Sequence, residues 1–99
     1  MLEIVLRPQA RADLMASAGY TKTAYGEAQA RRYIEDIRHQ IEFACGFPGI
    51  GSDAFGLPPL YRKLQSGSHH ILYRCTTTEL VVVRVILQRE DVPDEIEDF

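Results

Sequence analysis

A chain of 99 residues is long enough for one modest core and too short for two, so a single domain over residues 1–99 is expected. With 45% hydrophobic and 25% charged residues it has the composition of an ordinary soluble globular chain; no apolar run reaches the roughly 18 residues of a membrane helix, and two cysteines make no disulfide framework. The formal charge of −3 is uneven: the last ten residues, "EDVPDEIEDF", hold six acids and no base, which leaves residues 1–89 at +3.

"LEIVLR" (Leu2–Arg7) alternates as a strand, with Leu2, Ile4 and Leu6 on one face. Its acid at position three makes the N-terminus a poor signal peptide, and a cytoplasmic location is expected. Pro8 suits a first helical turn, so a helix is predicted from Pro8 to Tyr25, with Gly26 as its stop. Glu27 opens a second helix. Ala30, Ile34, Ile37, Ile41 and Ala44 fall on one stripe of it, and Arg31 is placed to pair with Glu35. Two helices joined this tightly pack as an antiparallel hairpin. "CGFPGIGSDAFGLPPL" (Cys45–Leu60) is a loop by its glycines and prolines. "LYRKLQ", "HHILYRC" and "LVVVRVILQ" are strand-length, β-branched or aromatic segments joined at "SGS" and "TTTE". The expected class is α+β in the order β-α-α-β-β-β, with the helical hairpin packed on one face of a small, mainly antiparallel sheet.

Few residues point to chemistry. His69 and His70 alternate across a strand and face opposite sides, so they do not form a metal site together, and neither metal nor cofactor is expected. "GIGSDAFG" lacks the lysine and helix start of a phosphate loop. Arg84 interrupts a valine run. Period-2 counting puts it on a face with Val82 and Ile86, opposite Val81, Val83, Val85 and Leu87. Such a charge is either paired with a carboxylate or left at a surface that something else covers. The acidic end, Val92–Phe99, is either a solvated terminus or a tail that folds back or docks. Ile96 and Phe99, three apart, would share one side of a helical turn.

The succession "GEAQARRYIEDI", "PGIG", "LYRKLQ…HHILYR" and "VVVRVILQRED" resembles the ParE toxins of type II toxin–antitoxin modules, within the RelE/ParE superfamily, over nearly the whole chain. Its most specific residues are Gly26, Gln29, Ala30, Tyr33, Pro48, Tyr61, Arg62, His70, Ile71, Tyr73, Val83, Arg84, Val85, Arg89 and Asp91. Tyr25 stands where many members carry tryptophan, and Leu87 where many carry histidine. The resemblance implies a RelE/ParE-like fold and a toxin that inhibits DNA gyrase without catalysing a reaction. It also implies neutralisation by a ParD-like antitoxin in a hetero-oligomer, with no membrane association and no sequence-specific DNA binding by the toxin alone. An antitoxin tail would cover the sheet face that the helices leave open, and Arg62, Tyr73 and Arg84 are the candidate contacts. The target would be met by the exposed C-terminal segment, with Arg89, Ile96 and Phe99 as candidates.

The same resemblance allows a RelE-like, ribosome-dependent messenger-RNA endoribonuclease. For that reaction His70 and Arg89 are the available groups. After Arg89 there is no His, Tyr, Lys or Arg, and the acids there would repel a phosphate backbone. Unburied carboxylates are weak bases at neutral pH. An inhibitor is therefore favoured over a nuclease; an adaptor domain without toxicity is the third class.

Overall fold

A computed structural model describes the chain except Phe55, Asp91 and Asp94. Strand β1 (Glu3–Leu6) leads into helices α1 (Pro8–Tyr25) and α2 (Glu27–Gly46). A 3-10 turn (Pro48–Ile50) and strands β2 (Ser52–Asp53), β3 (Arg62–Ser66), β4 (His69–Cys75) and β5 (Glu79–Leu87) follow. The expected α+β order holds, with the two-residue β2 added inside the segment read as loop. The five strands form one sheet in the order β1-β5-β4-β3-β2. β1 runs parallel to β5 and the other pairs are antiparallel.

Local chemistry accounts for the helix boundaries. Pro8 needs no amide partner at the first helical position. Gly26, at φ 94°, takes the left-handed turn between the helices while its N–H bonds to the Lys22 carbonyl. Ala30, Ile37, Ile41, Ala44 and Cys45 are buried along α2, whereas α1 buries only Ala10 fully. One pairing differs from expectation. Arg31 reaches back to Glu27, one turn earlier, while Glu35 is taken by Arg38, three residues on.

The sheet is covered on both faces. On the helix side Ala10, Ile37, Ile41 and Ala44 pack with Ile71, Tyr73, Leu80, Val82 and Val85. On the other side Leu72, Val81, Val83 and Ile86 form a second cluster with Ala54, overlaid by Leu57, Tyr61, Val92 and Ile96. A central strand buried on both faces has no polar side to show, which explains the near-continuous valine run of β5.

That run also contains a bulge. Leu72 pairs with Arg84 and Tyr73 with Val82, so Val83 is the extra residue of β5. The alternation slips there: Val82 and Val85 join the helix-side cluster, while Val81, Val83 and Ile86 join the other. The face expected for Arg84, shared with Val82 and Ile86, is therefore corrected. Those two residues lie on opposite faces, and the bulge re-aims Arg84 toward α1.

Tyr73 is 1% exposed and anchors the loop after α2. Its hydroxyl donates to the Pro48 carbonyl at 2.8 Å and accepts from the Gly51 N–H at 3.0 Å. A Cβ on Gly51 would lie 2.6 Å from that hydroxyl and 2.9 Å from the Lys63 carbonyl. Gly51→Ala should therefore destabilise the protein by about 1–3 kcal/mol. Chemical denaturation checks this, and an unchanged midpoint would mean that the loop shifts freely.

Candidate functional site

Two features bring functional side chains together. The first lies on the sheet face away from the helices, where the acidic tail folds back. The Asp98 carboxylate accepts from Arg7 Nε at 2.9 Å, from Arg74 Nη2 at 3.0 Å, from Arg74 Nε, and from the Tyr61 hydroxyl at 2.6 Å. Arg7 follows β1, Arg74 lies in β4 and Tyr61 precedes β3, so one side chain joins three parts of the sheet. The Arg74 hydrogen bond, helped by those of Tyr61 and Arg7, outweighs desolvation and holds the Asp98 carboxyl far below the usual carboxylate range. The same contact raises the Arg74 guanidinium, while burial followed by Asp98 raises the Tyr61 phenol.

The tail's burial alternates: Ile96 and Asp98 are half-buried, while Glu95, Glu97 and Phe99 are exposed. This is the period of extended chain. The helical turn expected to join Ile96 and Phe99 does not form. Ile96 packs on the protein's own second cluster, whereas Phe99 is 76% exposed. The candidate target contacts therefore divide. Ile96 faces inward because Asp98, two residues on, is pinned, while Phe99 and Arg89 remain exposed. The sheet face that a partner was expected to cover is covered by the tail instead.

The second feature is a groove of about 880 Å³ between α1, α2 and the end of β5, lined among others by Tyr20, Tyr25, Tyr33, His69, Arg84 and Arg89. At its base His69 is 7% exposed. Its Nδ1 hydrogen-bonds the Tyr33 hydroxyl, and its Nε2 lies 3.2 Å from Ser17 Oγ. The Tyr33 and His69 rings meet edge-on, with centroids 5.1 Å apart. Burial lowers the His69 pKa, partly opposed by Glu90 and Asp13, so the ring is neutral at pH 7 with both nitrogens engaged. Arg84 is paired: its Nε donates to Asp13 Oδ2 at 2.7 Å and its Nη2 to Oδ1 at 3.2 Å. Asp13 also accepts from the Val85 N–H at 2.9 Å.

The sequence-nominated antitoxin contacts thus lie in different places. Arg84 is on the groove wall. Arg62 donates to the Gly51 carbonyl at 2.8 Å, and Tyr73 is enclosed beneath the same loop, out of a partner's reach. His70, alternating with His69, points away from the groove that Arg89 lines, so the two candidate nuclease groups are not brought together. Among the described residues no three His, Cys, Asp or Glu side chains group as a metal site. The sequence reading singled out Tyr33 and Tyr61 only as residues of the family pattern and gave no site role to them, to Ser17 and Asp13 in the groove, or to Asp98, Arg7 and Arg74 on the sheet. The one local signal was the inward–outward alternation of Ile96–Asp98.

A family model described as the ParE toxin of the type II toxin–antitoxin system parDE matches residues 4–92. The chain is 39% identical over 89 residues to Toxin ParE1 of Mycobacterium tuberculosis, covering 89% of this chain and 91% of that one. It is 32% identical over 83 residues to Toxin ParE1 of Caulobacter vibrioides, covering 84% and 85%. A structure from the chromosomal ParDE system of P. aeruginosa superposes with a TM-score of 0.74 at 20% identity, over 88% of this chain and 96% of that one, which shows the shared fold.

The Asp98 cluster and the Arg84–Asp13 pair each generate a stability prediction. A carboxylate whose folded pKa is depressed stabilises fully above its unfolded value of about 4 and loses that contribution as pH falls toward the folded value. Asp98→Asn should cost about 1.5–3 kcal/mol at pH 7. Denaturation at several pH values should show the gap to wild type shrinking below about pH 4; a gap independent of pH would mean that the charge does not matter. Arg84→Leu should lower stability by about 1–3 kcal/mol, because the Asp13 carboxylate loses its cation. Asp13→Asn combined with Arg84→Leu should recover part of the loss in a double-mutant cycle.

Proposed function

The chain belongs to the ParE toxin family of type II toxin–antitoxin systems, and on that premise we propose that it arrests growth by binding DNA gyrase and is neutralised by a ParD-like antitoxin. The mechanism is binding, not catalysis. The observation that carries this reading is the state of the cationic and titratable groups. The Arg7 and Arg74 guanidinia on the sheet face are occupied by the chain's own carboxylate, and both ring nitrogens of the buried His69 are taken by Ser17 and Tyr33. A phosphate-cleaving site needs such groups free and convergent. The alternative of messenger-RNA cleavage is disfavoured further by the divergence of His70 and Arg89.

The antitoxin is assigned to the groove. Tyr20 and Tyr25, 69% and 71% exposed, offer flat apolar area along its rim, and Arg84 supplies a polar wall. Tyr73, being enclosed, is not an antitoxin contact, and Arg62 acts on it only through the loop it holds. Target contact falls to the exposed Arg89 and Phe99. The complex is a hetero-oligomer acting in the cytoplasm.

Expression of the chain alone in a bacterium should stop growth, and co-expression of its antitoxin should restore it. The purified protein should inhibit supercoiling by gyrase and leave messenger RNA on translating ribosomes intact. Codon-specific cuts that disappear in His70→Ala, with supercoiling unaffected, would replace this reading with the nuclease one.

A further inference from the structure

Strand β1 is the end strand of the sheet, and β5 is its one strand neighbour among the described residues. The ladder to β5 uses alternate residues of β1. The Glu3 N–H donates to the Thr78 carbonyl and the Arg7 N–H to the Val82 carbonyl, both at 3.0 Å. In a parallel pair the peptide groups of the residues between turn the other way. The N–H and C=O groups of Leu2, Ile4 and Leu6 therefore point out of the sheet at its edge. Edge strands are commonly guarded by a charge, a proline or a bulge. Ile4, Val5 and Leu6 carry none of these, and Ile4 is 41% exposed.

The side chains at this edge suit one occupant. Leu2 and Leu6 pack against the helix-side core, and Ile4 shares their face by the alternation of the strand. A second copy of β1, brought in antiparallel by a two-fold axis, offers the same outward groups at the same alternate positions. The register follows from the residues. Centring the pair on Glu3 sets that carboxylate against its own copy. Centring it on Val5 sets Leu2 against Pro8, which has no N–H to give. Centring it on Ile4 sets Ile4 on Ile4 and Leu2 on Leu6, a continuous apolar row with its hydrogen bonds satisfied and no like charges opposed. Beside the row lies a cavity of about 360 Å³ lined by Met1, Leu2, Ile4, Arg38, Glu42 and Cys45. It has room for side chains of the facing copy. Its rim carries one charge of each sign, so a rotated copy meets its own complement.

We propose that two copies of this chain pair through β1, antiparallel about Ile4, so that the two five-stranded sheets join into one. The contact is short, and the association is correspondingly weak and concentration-dependent. It leaves the groove of each copy open: β1 pairs with β5 from Glu79 to Val82, whereas β5 lines the groove from Arg84 onward. Two grooves in one assembly give a partner with two matching segments an avidity that a single copy cannot.

Sedimentation equilibrium of the purified full-length chain tests this, with reductant present so that the exposed Cys75 thiol does not cross-link. Between about 10 µM and about 1 mM the weight-average mass should climb from that of one chain toward that of two. Ile4→Lys should weaken self-association by about tenfold or more, since like charges then oppose each other at the axis. Ile4→Pro, which removes an outward N–H without touching the ladder to β5, should do the same. Circular dichroism should show both variants folded. Phe47→Ser changes an exposed apolar side chain elsewhere and should leave the association as it is. If the edge variants do not fold, amide exchange on wild type decides: raising the concentration should slow Ile4 and Leu6 and leave the turn at Gly67 and Ser68 unaffected. A mass that stays at one chain throughout would overturn the proposal and leave the edge to a strand from another protein. So would association that survives Ile4→Lys in a folded variant, association lost in Phe47→Ser, or Ile4 and Leu6 amides that do not slow.

Discussion

The carboxylate of Asp98, taking hydrogen bonds from Arg7, Arg74 and Tyr61, is the contact on which the second layer of this fold depends. Its partners lie 91, 24 and 37 residues away in sequence, so it ties the chain's end to the exit of β1, to β4 and to the loop before β3 at once. It also pins Ile96 over Leu72, Val81, Val83 and Ile86. Half-buried arginines without this anion would stand beside apolar surface with their charge uncompensated. The anion without the arginines would not leave water. The acidic composition of the tail, which reads as a solvation signal, is in this position a structural one.

Covering that face changes where a partner can bind. With helices on one side and the tail on the other, a concave feature that stays accessible is the groove at the end of β5. It is shaped from below by Tyr33, His69 and Ser17 and at the wall by Arg84 held on Asp13. The bulge at Val83 makes this wall possible: without the extra residue, strict alternation would carry Arg84 out of reach of α1 or turn Val85 away from the core.

Local signals were legible in the sequence and nonlocal ones were not. Pro8 and Gly26 set the limits of α1, the α2 stripe is helical in period, and "HHILYRC" is β4 to the residue, because each depends on near neighbours. The opposed placement of His69 and His70 follows from the pleat alone. β2 was invisible because two residues among glycines and prolines become a strand only through pairing with Arg62 and Lys63. The face of Arg84 was misassigned because period-2 counting presumes an unbroken ladder. The tail was misassigned because a spacing of three between Ile96 and Phe99 suggested a helical turn, while the operative spacing is the two between Ile96 and Asp98. Nothing local marks Asp13 or Asp98 as partners of arginines 71 and 91 residues away.

The central claim is that the tail is an ordered part of the sheet's second layer. The most direct measurement is the heteronuclear 15N NOE of the backbone amides in the isolated full-length protein. Ile96, Glu97 and Asp98 should give values close to those of β4 and β5, falling only at Phe99. Values near zero or negative across all of residues 95–99 would show a free terminus and contradict the account.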